Sequence, residues 1–428
     1  MNANTLAVWL GKQHIGTLNQ VKNGARFQFA ESICQATPGA PCLSTALPVQ
    51  SEAFDAAATR NWFSGLLPED ARLDEVRRFF GIEGSDYLSV LEEVGWECAG
   101  AVSIFPENND SLPGKIAGVR RIDAAQLSSR LSALPAHPFD DASTLRISLG
   151  GYQEKLCVDL PEGFIVENGH AKLVYANLPL NGALSTHILK PQPSRFPGLI
   201  EGEAWAMVAA SYATSTARVA LLDLNDAPQT LLVERFDRKI VGSHIERIHQ
   251  EDCAQALGID PARKYAAASS PKKSDPSFRR IAALLEVYAR NAPLELERLL
   301  RQMVVTVVLG NTDAHAKNFA FLHPDTETIT LSPLYDVVPA SEITPGVVNM
   351  GMRIDGRIRL DRIEFEHIAH EAKSWGMSSA RIIQIVTEAT SGLREGIDYA
   401  SLLYPSAGTR HMGPALERLG RMRASFLL

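Results

Sequence analysis

The chain has 428 residues, of which 45% are hydrophobic and 21% charged. That balance excludes a wholly disordered chain and, at about 150 residues per domain, predicts two or three domains. With 42 basic and 49 acidic residues the formal net charge is −7, so the surface as a whole is a poor binder of nucleic acid or anionic membrane, and any reading of DNA falls mainly to a partner.

At the N-terminus Leu6, Val8 and Leu10 alternate with small or polar neighbours, and Phe27 and Phe29 alternate after the Asn23-Gly24 turn signal, which predicts antiparallel strands. Leu73, Val76, Phe79 and Phe80 then recur at helical spacing after Glu69-Asp70, as do Tyr87, Leu88, Leu91 and Val94, predicting two helices. Cys98 to Phe105 returns to strand character. The stretches 106–114 and 135–143 read as loops. From Leu145 to Arg238 the pattern is strand-rich, with one helix around Glu203 to Tyr212. Beyond Asp252 it is mostly helical, with Phe278 to Ala289 and Leu294 to Val308 the clearest helices and Ala266 to Pro276 a mobile loop. Strand-rich then helical blocks give an α+β class.

Five scattered cysteines with no C-x-x-C pair argue against a disulfide framework or a structural zinc site. No basic n-region followed by an apolar stretch opens the chain, and the most apolar segment, Met303 to Leu309, is too short for a membrane span. A soluble, cytoplasmic protein is expected.

Four features could carry chemistry. Gly150-Gly151, between apolar strand-like pieces, would let backbone N–H groups approach phosphate oxygens, although an isolated Gly-Gly also marks an ordinary hairpin. Lys190 closes an apolar strand, where a lysine either pairs nucleotide phosphates or sits on the surface. Asp313 and Asn318 are separated by four residues directly after the most apolar helix. Phosphoryl transfer needs a carboxylate to receive the acceptor's proton and an amide oxygen for magnesium, and protein kinases place the two at this separation. The plain alternative is a polar capped loop. Asp336 ends a further apolar stretch, where a second magnesium ligand or a turn aspartate would stand.

Their order strengthens them. Glycine pair, strand lysine, Val233 to Arg238 as a junction, Asp-x4-Asn and Asp is the order of parts in a bilobal kinase. His-Arg-Asp and Asp-Phe-Gly are absent, and Asp313-x-His315-x-x-Asn318 is also similar to the catalytic loop of lipid kinases.

Over nearly its whole length the sequence resembles the HipA family of serine/threonine kinases, the toxin half of bacterial toxin–antitoxin pairs. The resemblance is carried by Gly65-Leu-Leu-Pro-Glu-Asp70, Gly100-Ala-Val-Ser103, Ser148 to Lys155, Thr186-His-Ile-Leu-Lys190, Val233 to Arg238, Gln250-Glu-Asp252, Lys264-Tyr265, Thr312 to Phe319 and Tyr335-Asp336. It implies a bilobal protein-kinase-like fold: an N-terminal partner-binding domain (1–106), a connecting segment (107–145), a kinase N-lobe with a glycine-rich loop (146–237) and a helical C-lobe (238–428). It implies Asp313 as catalytic base, Asn318 and Asp336 as magnesium ligands, and Lys190 on ATP phosphates with Glu203 as its acidic partner. Gly150, Gly151, Tyr152, Gln153, Glu154 and Lys155 would cover the phosphates. The backbone of Glu234, Arg235 and Phe236 would meet adenine, and Gln250 and His315 would lie at the site edge. Ser148 matches the serine that such kinases phosphorylate on themselves, where a dianionic phosphate would repel bound ATP. The partners implied are a helix-turn-helix antitoxin of the HipB type, operator DNA mainly through that antitoxin, and a protein substrate of the translation machinery, with no membrane. A small-molecule or lipid kinase on the same scaffold and a non-catalytic corepressor are the alternatives. Intact Lys190, Asp313, Asn318 and Asp336 rank the corepressor last.

Overall fold

Alternation of apolar side chains builds the first sheet. Thr5–Leu10 pairs antiparallel with Gln13–Val21 on one side and Val102–Pro106 on the other, and Gly24–Phe29 completes a four-stranded sheet. The structure, a computed structural model, describes residues 5–22, 24–84, 86–107, 118–134, 147–148, 153–160, 165–242, 244–344 and 346–424. Leu6, Val8, Ile15, Leu18, Phe27 and Phe29 point into one core with Trp62, Phe63, Val76, Leu91 and Val94 from the helices Ala56–Phe63, Asp70–Phe80 and Tyr87–Val94. Asp55 and Asp86 cap two of these helices by accepting from Ala58 and Leu88 N–H. Phe79, expected on the apolar face, is 41% exposed: Val76 takes the core-facing place in that helix, and the Phe79 ring lies edge-on to Phe80.

A six-stranded sheet forms the next lobe, in the order Leu156–Val158, His187–Pro191, Thr230–Glu234, Val219–Asp223, His170–Lys172, Ile165–Glu167. The helix Leu199–Ser211 packs against it, with Ala204, Met207 and Leu231 in one core. Within the stretch read as a connection, Gly118–Asp123 pairs with Tyr175–Leu180, and the helix Ala124–Ala133 follows with a full capping box between Asp123 and Gln126. Ile122, Leu127 and Leu131 share a core with Val158, Leu189 and Leu232, so these residues pack as part of the lobe.

The remaining lobe is mainly helical. Phe278–Tyr288, Ala292–Val308, Phe365–Lys373 and Ser379–Leu403 surround a core that includes Leu285, Leu299, Met303, Ile385 and Leu393. The three-stranded sheet His249–Asp252, Ala320–His323, Thr330–Leu331 lies beside it. Residues 266–276 form a loop in which Asp275 accepts from Ala267 and Lys272 N–H.

The N-terminal sheet domain is fastened to the other lobes through buried charge. Glu97 receives Arg235 and Arg238 at 2.8 and 2.9 Å, and Asp237 accepts from both guanidinium groups at 2.8 and 3.0 Å. Asp237 also accepts from Gly100 N–H at 2.7 Å. Gly100 has φ +68°, and a Cβ there would meet Gln250 N at 2.5 Å, so the close approach requires glycine. Glu251 closes a second junction, accepting from Ser44 Oγ (2.5 Å), Thr45 N–H (3.0 Å) and Trp62 Nε1 (3.2 Å).

Candidate active site

A cavity of about 740 Å³ opens between the lobes and is lined by all three parts of the chain. Ile188, Met207, Val219 and Val233 line it with apolar side chains, and Lys155, Lys190, Glu203, Asp313 and Asp336 line it with charged ones.

Lys190 stands on the inner strand His187–Pro191, where alternation turns its side chain toward the helix Leu199–Ser211. Its Nζ lies 2.6 Å from Glu203 Oε1 and 2.6 Å from Asp336 Oδ1. Burial works to raise the Asp336 carboxyl, but the Lys190 ammonium overrides it and holds the group near 2. Glu203 is pushed up to about 7, because burial outweighs a lysine it must share. Its Oε2 is buried without a hydrogen-bond partner. The Lys190 ammonium thus favours the ionised form of Asp336.

Asp336 adopts φ +59°, a left-handed conformation that Asp tolerates better than most residues. Asn318 Nδ2 donates to Asp336 Oδ2 at 3.3 Å and to its backbone carbonyl at 3.4 Å, which holds the amide against Asp336. Asn318 ends the short 3₁₀ turn Ala316–Asn318 that follows the buried helix Ala292–Val308.

Asp313 lies in the turn between those two elements, with its carboxyl open to the cavity. Surrounding protein and the nearby Asp336 charge raise its pKa, partly offset by a 2.6 Å hydrogen bond from Tyr265 OH to Oδ1. His315 is buried edge-on to the Tyr265 ring at 4.8 Å, and burial holds its imidazole neutral, near 3. A Cβ on Gly351 would fall 2.5 Å from Ala314 C and O, so only glycine lets the strand Asn349–Ile354 lie against the loop.

Several partnerships here were not read from the sequence. Glu69, at the start of helix Asp70–Phe80, pairs with Lys264 and, at 3.0 Å, with Lys317 of the 3₁₀ turn. Lys317 also donates to Gly65 O at 3.0 Å. Burial opposes ionisation of Glu69, yet the two lysines hold it near 2. Arg72 of the same helix pairs with Glu154. Glu69, Glu154, Lys264 and Lys317 stand in recognised sequence blocks, but pairings that span 82 to 252 positions leave no periodic trace.

Lys155 lines the cavity and is depressed to about 8 by burial and by Lys190. Gln153 and Gln250 also line it, each with a buried side-chain polar atom lacking a hydrogen-bond partner. Glu234 pairs with Arg218 at 2.6 Å, and Phe236 faces Tyr335 at 5.4 Å. The Arg235 side chain is committed to Glu97 and Asp237, and its backbone N–H donates to Thr186 O at 3.0 Å, as that of Glu234 does to Arg218 O at 2.9 Å. Gly150, Gly151 and Tyr152 lie outside the described residues. The backbone of Ile147–Ser148 pairs in parallel with Glu97–Cys98.

The arrangement offers a buried cation, an amide and a carboxylate side by side (Asn318 and Asp336), a carboxylate facing open space and apolar lining residues. That set suits a polyphosphate with a flat apolar end. Among the described residues no group of three His, Cys, Asp or Glu side chains could hold a metal. Magnesium bound through one carboxylate and an amide, with phosphates and water completing its shell, needs no such group.

The fold and this site define a bilobal α+β protein of the kinase type with an additional N-terminal domain. Family models for a HipA-like C-terminal domain and a HipA N-terminal domain match residues 147–397 and 6–105, and the chain belongs to the HipA family. A Sinorhizobium fredii (strain NBRC 101917 / NGR234) protein named "Putative kinase Y4mE" is 30% identical, covering 97% of each chain. "Serine/threonine-protein kinase toxin HipA" of Shewanella oneidensis is 25% identical over 94% of this chain and 90% of its own. The solved complex of the Shewanella oneidensis MR-1 toxin–antitoxin system, with HipA, HipB and its operator DNA, aligns at a TM-score of 0.81 and 22% identity, covering 97% of each chain. Among the described residues no helix is long and apolar enough to cross a membrane.

Proposed function

We propose that this protein is an ATP- and magnesium-dependent protein serine/threonine kinase acting as the toxin of a toxin–antitoxin pair. The observation that carries the reading is the Glu203–Lys190–Asp336 triad at 2.6 Å on each side, with Asn318 against Asp336 and Asp313 facing the same cavity.

The apolar side chains of Ile188, Val219 and Val233 take the adenine ring beside the backbone of Glu234, Arg235 and Phe236. Lys190 and Lys155 meet phosphate oxygens, and Glu203 keeps Lys190 extended. Asn318 and Asp336 hold magnesium, which when bound neutralises charge on the phosphates. Asp313 orients the acceptor hydroxyl and receives its proton. Positioning and charge neutralisation provide most of the rate.

Gly150 to Lys155 cover the phosphates and Ser148 is the site of self-phosphorylation. Gln250 and His315 border the site, with His315 as a neutral imidazole. The N-terminal domain supports binding of a helix-turn-helix antitoxin of the HipB type, and operator DNA is met mainly through that partner. The acidic net charge and the relative solved with HipB and DNA support this. The substrate class is a protein of the translation machinery.

Intact-mass and peptide mass spectrometry before and after incubation with Mg-ATP tests the reading. Phosphate on Ser148 in the wild type and none in Asp313→Asn is the expected result. No phosphate on either protein, before or after, sinks the self-phosphorylating kinase.

A further inference from the structure

Asp313 already holds a hydroxyl. Tyr265 OH donates to Oδ1 at 2.6 Å, the carboxylate that, on the kinase reading above, must receive the hydrogen bond of an incoming serine or threonine. The backbone carrying this tyrosine is clamped on both sides. Lys264 O accepts from Ala316 N–H at 3.1 Å, and Ala266 N–H donates to Gly351 O at 2.8 Å. Glu69 anchors the Lys264 side chain as well. Tyr265 itself remains 46% exposed, with one ring edge against His315. A fixed main chain with a half-exposed ring leaves side-chain rotation as its free movement.

We infer that Tyr265 is a specificity-determining residue that occupies the acceptor's seat on Asp313 and keeps water out until a protein hydroxyl displaces it. In productive transfer the acceptor O–H proton passes to Asp313. The acceptor oxygen bonds to the γ-phosphorus, the bond from that phosphorus to the bridging oxygen breaks, and ADP leaves. Water in the same seat undergoes the same displacement and gives ADP and inorganic phosphate. A phenol that fills the seat without advancing to phosphorus suppresses this loss, and a flexible protein side chain can compete it away.

The test is Tyr265→Phe, which keeps the ring and its contact with His315 and removes only the donor. Inorganic phosphate release from Mg-ATP and phosphate incorporated into the chain itself are measured together, with nucleotide binding followed calorimetrically. The ratio of release to incorporation is expected to rise about tenfold, the effect of one hydrogen bond of ordinary net strength. Release should fall to background in Tyr265→Phe combined with Asp313→Asn. A ratio that is unchanged or lower overturns the inference, as does release that persists in the double variant. A loss of release and incorporation in equal proportion assigns Tyr265 a merely structural part and also overturns it. If the wild type neither binds nor turns over Mg-ATP, the kinase reading fails and takes this inference with it; binding separates that failure from the others.

Discussion

Glu97 and Arg235 form a 2.8 Å ion pair between residues 138 positions apart, with side chains 0% and 2% exposed. Each charge loses its water on burial, and the attraction repays that cost only because Arg238, Asp237 and Ser185 complete the network. Glu97→Ala leaves two guanidinium groups underpaired in the junction and is expected to lower stability by about 3–5 kcal/mol. Urea unfolding checks this; an unmoved midpoint would show the junction to be energetically idle.

The pH dependence of stability follows from Glu69. Its folded-state pKa is about 2 against an ordinary value of 4.5. A depressed carboxyl contributes stability that is complete above pH 4.5 and is lost as pH falls through about 2. The contribution is about 3 kcal/mol. Glu69→Gln should therefore be less stable than the wild type near neutrality, with the gap closing below pH 3. Chemical denaturation at pH 7, 4 and 2.5 measures it, and a gap that widens in acid contradicts the assignment.

His315 is held near 3 by burial, so no inflection near pH 6.5 is expected in the rate of phosphate transfer. The acid limb belongs to Asp313, whose pKa is raised by burial and by Asp336. Asp313→Asn should abolish transfer, with loss of at least 100-fold, while retaining the wild-type affinity for Mg-ATP. An Asp313→Asn protein that still transfers phosphate removes Asp313 from its role.

Asn318→Ala removes the amide that lies against Asp336 and, on the proposed reading, one of the two magnesium ligands. The magnesium concentration for half-maximal rate should rise about 10–100-fold, with a smaller change at saturating metal. Metal titrations at fixed ATP provide the measurement. Chelation with EDTA should stop turnover in both proteins and be reversed by added magnesium.

Much of the fold was legible because it is local. The helices read at Phe278 to Ala289 and Leu294 to Val308 occur at Phe278–Tyr288 and Ala292–Val308, where apolar spacing and the caps Ser277 and Asn291 coincide. Lys190, Asp313, Asn318 and Asp336 could be picked out by order and spacing, and the structure gathers them around one cavity. The charge partners could not. Arg72 with Glu154, Glu69 with Lys317, and Glu97 with Arg235 are set by how domains meet, and no period or turn signal encodes such contacts. Tyr265 stood in a recognised block, yet its bond to Asp313 depends on a loop returning across 48 residues. Residues 118–134 read as a connection because loop-like stretches flank them, although their own apolar positions complete the lobe's core.

The helix Asp70–Phe80 touches Glu154, just after the glycine pair, through Arg72, and Glu69 at its N-cap touches the 3₁₀ turn Ala316–Asn318 through Lys317. An N-terminal domain exchanged between two such proteins by recombination would have to bring both contacts in matching form. The first hundred residues and the rest of the chain are thus constrained to be inherited together, as two halves of one lock.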